Sequence, residues 1–139
     1  MSRSKVAFAL DVGEKRIGVA TADDTVGIAR VVETIEVDGN EFNRIARLIQ
    51  EEKASVVVVG YPRNQSGEPT AQTKLVEVFA KRLAGVVDVK LVFQDESLTS
   101  VLAEQRLKSY KKPYDKGDID ALAAALILED YLESNRGRI

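Results

Sequence analysis

The chain has 139 residues, enough to bury one hydrophobic core without staples, and it contains neither His nor Cys. Imidazole catalysis, thiolate nucleophiles, disulfides and ordinary zinc sites are thereby excluded, which leaves carboxylates as the reactive groups to look for. Twenty Lys and Arg against 22 Asp and Glu give a net charge of −2, so attraction to a polyanion has to come from a local basic face.

No apolar run approaches the roughly 20 residues a bilayer requires, and the expectation is one domain over residues 1–139, cytoplasmic and without a membrane partner. Lys5 to Asp11 and Ile17 to Ala22 read as strands joined by GEKR, and Ala29 to Val37 as a third strand with partial alternation. From Glu41 the period turns helical, with Phe42, Ile45, Leu48 and Ile49 on one stripe. Val56 to Val59 is an unbroken valine run, the signature of a strand buried on both faces. A loop containing Gly60, Pro62 and Arg63 follows, then a helix from about Thr70 to Leu83 with Leu75, Val76, Phe79 and Leu83 on one side. Val89 to Gln94 reads as a strand, and Thr99 to Lys108 and Ile119 to Leu132 as helices. Three antiparallel strands continued by right-handed strand-helix-strand crossovers predict an α/β fold, a mixed five-stranded sheet flanked by helices.

Three acidic points stand out. Asp11 ends the first strand before a glycine, where a carboxylate either holds a cation at the sheet edge or starts a turn. Asp95 and Glu96 end the fifth strand, and because side chains alternate, at most one of them shares the face of Asp11. Both serve equally well as acids before a helix capped by Thr99. Asp118 and Asp120 open the last helix two residues apart, so one of them caps and the other turns to the sheet, whose helix face is expected at Leu122, Ala123, Leu126 and Ile127. The topology gathers these points near one edge. Mg²⁺ and Mn²⁺ take oxygen ligands, and ions held by shared carboxylates activate water and steady the leaving oxygen in phosphodiester hydrolysis. Lys15, Arg16, Arg63, Lys108, Lys111, Lys112 and Lys116 can border the same cleft and contact phosphates, or form an ordinary solvated surface. Tyr110 and Tyr114, set among these lysines, stack on bases or anchor the loop.

DVGEKRIGVATADD, VVVVGYPRNQSGEPT, DESLTS and KGDIDALAAALILEDYL resemble, in order and across almost the whole chain, the signature blocks of the YqgF/RuvX family. That resemblance implies an RNase H-like fold similar to RuvC-type Holliday junction resolvases. It implies a nuclease acting in 5′-end processing of pre-16S rRNA, with pre-rRNA or ribosomal precursor particles as partners. It places the catalytic, metal-binding acids at Asp11, Glu96 and Asp120, with Asp118 and Asp95 as second candidates and Mg²⁺ or Mn²⁺ as cofactor. Ser97 stands where the family's third block usually carries Arg. Three alternatives accompany this reading: a Holliday junction resolvase acting on structured DNA, a non-catalytic RNA-binding module of ribosome assembly, and, from D-x-G after a strand, an actin-like phosphate loop. Actin-like proteins clamp nucleotide between two such domains, whereas this chain holds one. A resolvase needs two active sites and hence a homodimer; a processing nuclease works as monomer or homodimer.

Overall fold

The computed structural model describes residues 5–23, 25, 27–62, 68, 70–96 and 99–135. Among these the chain forms β1 (Val6–Val12), β2 (Arg16–Asp23), β3 (Arg30–Glu36), α1 (Glu41–Glu52), β4 (Ala54–Tyr61), α2 (Ala71–Ala84), β5 (Lys90–Asp95), α3 (Thr99–Ser109) and α4 (Lys116–Ser134). The strands lie in the order β3-β2-β1-β4-β5. β1 and β3 run antiparallel to β2, and β4 parallel to β1 and β5. The expected mixed sheet is therefore present, with β1 at its centre.

The two faces of the sheet carry side chains of different size. In β1, alternation sends Phe8, Leu10 and Val12 to one face and Ala7 and Ala9 to the other. β2 repeats the division, with Ile17 and Val19 on the bulky face and Ala20 and Ala22 on the small one. Helices α1 and α2 cover the bulky face through Ile45, Leu48, Ile49, Val76, Phe79 and Leu83. Phe42 stacks on Phe79 with ring centroids 5.1 Å apart and ties the two helices together. The valine run Val56–Val59 is fully buried: Val57 and Val59 belong to this core, while Val56 and Val58 join the opposite one.

Helix α4 covers the small face. Its Ala124, Ala125, Ile127, Leu128, Tyr131 and Leu132 pack against Ala7, Ala9, Ala20 and Ala22, and small side chains on both partners let helix and sheet approach closely. This corrects the expected inner face. Ala123 and Ile127 are buried as predicted, but Leu122 and Leu126 are only partly covered, and Ala121, Ala124, Ala125 and Leu128 take the interior instead. The alanine-lined sheet accepts the helix's smallest stripe, and Leu126 turns toward α3, where it borders a surface depression with Leu102 and Arg106. α4 also begins at Lys116 rather than Ile119, because Asp115 caps it. α3 packs on α4, inserting the fully buried Ala103. Thr99 opens α3 as expected, but residues 97 and 98, which decide its capping, lie outside the described residues. No helix among the described residues is long and apolar enough to cross a membrane.

Candidate active site

Asp11 is the penultimate residue of β1 and lies opposite Gly18 of β2. Odd numbering puts its side chain on the small, α4-covered face with Ala7 and Ala9. A Cβ on Gly18 would collide with the main-chain carbonyl of Asp120 and lie 2.8 Å from the nitrogen of Ala121. Gly18 is thus the place where the start of α4 rests directly on the strand beside Asp11.

Glu96 follows β5, and its N–H donates to the carbonyl of Tyr61 at 3.3 Å, which carries the strand geometry one residue further. Parity then places Glu96 on the face of Val92, over α4, and Asp95 on the other, where it borders a surface hollow with Tyr61, Glu77 and Phe93. Of the two acids only Glu96 shares the face of Asp11, as alternation required. Space for it comes from Gly60, where an added Cβ would stand 2.7 Å from Glu96 Oε2 and 2.7 Å from Ile127 Cδ1. Replacing Gly60 by Ala should leave the fold standing, since both obstacles are side-chain ends, yet shift the Glu96 carboxylate; cleavage is expected to fall about 10–100-fold, because misplacement by about 1 Å already costs that much. Wild-type kinetics with an unchanged melting curve would contradict this.

Asp118 and Asp120 divide their roles. Asp115 Oδ1 accepts from the N–H of Asp118 at 2.9 Å, and Asp118 Oδ2 accepts from the N–H of Asp115 at 3.0 Å, a reciprocal capping box at an exposed helix start. Asp120, one turn further, faces the sheet, and its Oδ2 accepts from Arg16 Nε at 2.8 Å. Asp118→Ala is accordingly expected to cost about 1 kcal/mol of stability and to leave cleavage within about twofold; a collapse of activity with little change in stability would make it a ligand instead.

Burial, then the mutual repulsion of the carboxylates, governs the protonation of the site. Glu96 is pushed up to about 9, first by desolvation and then by the charge of Asp11 and the hydrogen bond to it. Asp11 is pushed up to about 6 by desolvation; its hydrogen bond with Glu96 works against this and the charge of Asp120 adds to it. Both shifts run in the same direction and favour a proton held between the two carboxyls. Among the described residues no three acidic side chains stand together at metal-ligating spacing: Asp11 and Glu96 touch, while Asp120 is turned to Arg16. The donor set is nevertheless all oxygen and partly buried, which suits a hard divalent cation.

The basic residues surround this edge unevenly. Lys15 is exposed in the turn between β1 and β2, which is closed by Gly13 N–H donating to the Arg16 carbonyl at 2.9 Å. Lys111, Lys112 and Lys116 are exposed on the link from α3 to α4 and on the first residue of α4, with Tyr110 exposed and Tyr114 partly covered. Lys108 sits one turn before them, 3.9 Å from Glu104. Thr34 Oγ1 donates to the Gly117 carbonyl at 2.7 Å and fixes the helix start to β3. Arg63 and Ser97 lie outside the described residues. Three site-forming residues escaped the sequence reading: Gly18 and Gly60, which make room, and Gln72, whose Nε2 donates to the Val12 carbonyl at 2.6 Å and pins the end of β1. A glycine inside a strand pattern was the available signal for the first two.

The family model for RuvX, described as Holliday junction resolvase, matches residues 5–134. The chain belongs to the RuvX family. Among its curated relatives, a Synechocystis protein named "Putative pre-16S rRNA nuclease" is 41% identical over an alignment covering 100% of this chain and 94% of the relative. A Chloroflexus aurantiacus protein of the same name is 42% identical, covering 95% and 89%. Among solved structures, Thermus thermophilus RuvC superposes with a TM-score of 0.53 at 15% identity, over 96% of this chain and 97% of RuvC. Fowlpox virus resolvase in complex with Holliday junction DNA gives 0.54 at 17% identity, covering 93% and 97%. The RuvX chain thus shares the RNase H-like fold of these resolvases.

Proposed function

We propose that this chain is a nuclease that hydrolyses phosphodiester bonds with a divalent metal ion and acts in the cytoplasm on pre-16S rRNA, in 5′-end processing during ribosome biogenesis. The observation that carries the reading is the Asp11–Glu96 pair, two partly buried carboxyls in hydrogen-bond contact on one face of the sheet with Asp120 near them, on the resolvase fold of a family whose curated relatives bear a pre-16S rRNA nuclease name. Carboxyls with protonation displaced this far cluster at functional sites, and a bound cation would favour their ionised form.

In this reading Asp11, Glu96 and Asp120 hold Mg²⁺ or Mn²⁺, and Asp118 serves the cap. The cation supplies Lewis-acid activation of water and charge neutralisation at the leaving oxygen. The chain's own residues do the rest. With a cation bound, Glu96 would release its proton to solvent, Lys15, Lys111, Lys112 and Lys116 would contact phosphates together with Arg63, and Tyr110 offers a stacking surface. With no His in the chain, proton removal falls to a carboxylate or a lysine.

Matched substrates test this: a pre-16S 5′ fragment and a four-way DNA junction, each with Mn²⁺, Mg²⁺ or chelator. Metal-dependent cutting of the RNA alone is expected. Cutting of the junction alone would move the assignment to resolvase and require a dimer, and binding without cutting would move it to an assembly module.

A further inference from the structure

The ion pair between Arg16 and Asp120 joins residues 104 apart in the chain, and it sits inside the candidate site rather than on its rim. The two side chains are only 33% and 23% exposed. Arg16 opens β2 on the same small face as Gly18, Ala20 and Ala22, so its guanidinium reaches over that face to the first turns of α4. Of the three acids, Asp120 is the one held by an arginine in the structure, and a cation that engages it must displace that arginine.

We infer that Arg16 is the counter-ion built into this site: it holds Asp120 while no cation is bound, leaves it when a divalent cation enters, and is then free to contact a phosphate of the substrate. The inference rests on the metal-site reading above and adds its regulation. A guanidinium suits both positions, since it pairs as well with phosphate oxygens as with a carboxylate and stays charged throughout. Its release beside the ion would couple cation binding to substrate binding, so that each strengthens the other. Arg16 is a positioning residue before the exchange and a substrate contact after it.

Mn²⁺ affinity, measured by titration calorimetry on wild type, Arg16→Gln and Arg16→Lys, separates this from a bracing role. Removing a built-in competitor tightens Mn²⁺ binding, here by about twofold to fivefold, the range spanned by such ion pairs. Arg16→Lys, which keeps the charge but loses the planar fork, falls between the two, and melting curves confirm that each variant is folded. If Arg16 only braces Asp120, Arg16→Gln binds Mn²⁺ more weakly or equally, and the inference is overturned. Affinity for the uncleaved RNA fragment in an Asp11-intact, Mn²⁺-loaded protein under single-turnover conditions supplies the second readout: wild type gains more from Mn²⁺ than Arg16→Gln does, and equal gains overturn the transfer to phosphate. Wild type that binds no Mn²⁺ sinks the metal site itself, a result distinct from either.

Discussion

Asp11→Asn is expected to abolish cleavage and at the same time to stabilise the metal-free protein. Loss of a partner that merely supports a metal ligand costs about 10–100-fold, so removal of a proposed ligand should exceed about 100-fold. The stability gain follows from protonation. Asp11 and Glu96 have folded pKa values of about 6 and about 9, above their ordinary 3.8 and 4.5. Between about pH 4 and about pH 9 the native state therefore keeps protons that the unfolded chain has released, and stability of the metal-free protein falls as pH rises through that window. An uncharged amide at position 11 removes the repulsion while still accepting from Glu96. Discounting for water access at the open edge, the gain at pH 8 is on the order of 1–2 kcal/mol, or a melting temperature about 3–6 °C higher. Melts in chelator from pH 5 to pH 9 check this: the wild-type curve should fall with pH and the mutant curve should be flatter. A variant destabilised at every pH would mean that Asp11 holds the turn, the structural role its position after β1 also permits. Added Mg²⁺ should reverse the wild-type trend, because a bound cation favours the ionised carboxyls.

Among the described glycines, Gly18 should be the one where an added methyl group, as in Gly18→Ala, does the most damage. The new carbon meets main-chain atoms of Asp120 and Ala121, which cannot rotate away, so α4 must retreat from the sheet along the contact that buries Ala7, Ala9, Ala20 and Ala22. Overpacking of side chains costs about 1–3 kcal/mol; with backbone as the obstacle, about 3 kcal/mol or more is expected, and the fraction that folds should cleave poorly because Asp120 moves with the helix. Gly85→Ala is the control. Its Cβ meets nothing nearer than the Arg82 carbonyl at 3.5 Å and its φ is −80°, so a change within about 1 kcal/mol is expected. Equal denaturation midpoints for the two variants would contradict the close docking of α4.

The sheet was legible because its strands differ in kind. A valine run with no polar residue has to be central, the GEKR turn is too short for anything but an antiparallel return, and the helices between later strands require parallel crossovers. That at most one of Asp95 and Glu96 shares the face of Asp11 followed from alternation, whereas the choice of Glu96 came from the family resemblance. What local pattern did not carry was the side chosen by α4. Leu122 and Leu126 look like core in a helical wheel, yet the sheet beneath is lined by alanines and glycine, and the helix presents its small stripe to fit. That choice depends on residues more than 90 positions away. The division of Asp118 and Asp120 was open for a related reason: the cap moved to Asp115, which set the rotation of the helix and with it the direction of each acid. Arg16 was read as a phosphate contact; its pairing with Asp120 needed the helix in place.

The three acids enter the site from residues 11, 96 and 120, and the last arrives on the helix that closes the small face. During synthesis the chain consequently carries two of the candidate acids before the third can be seated on α4. A fragment ending before Lys116 would hold Asp11 and Glu96 on an uncovered, alanine-lined sheet. On the proposed reading such a fragment lacks the third acid and is expected not to cut RNA.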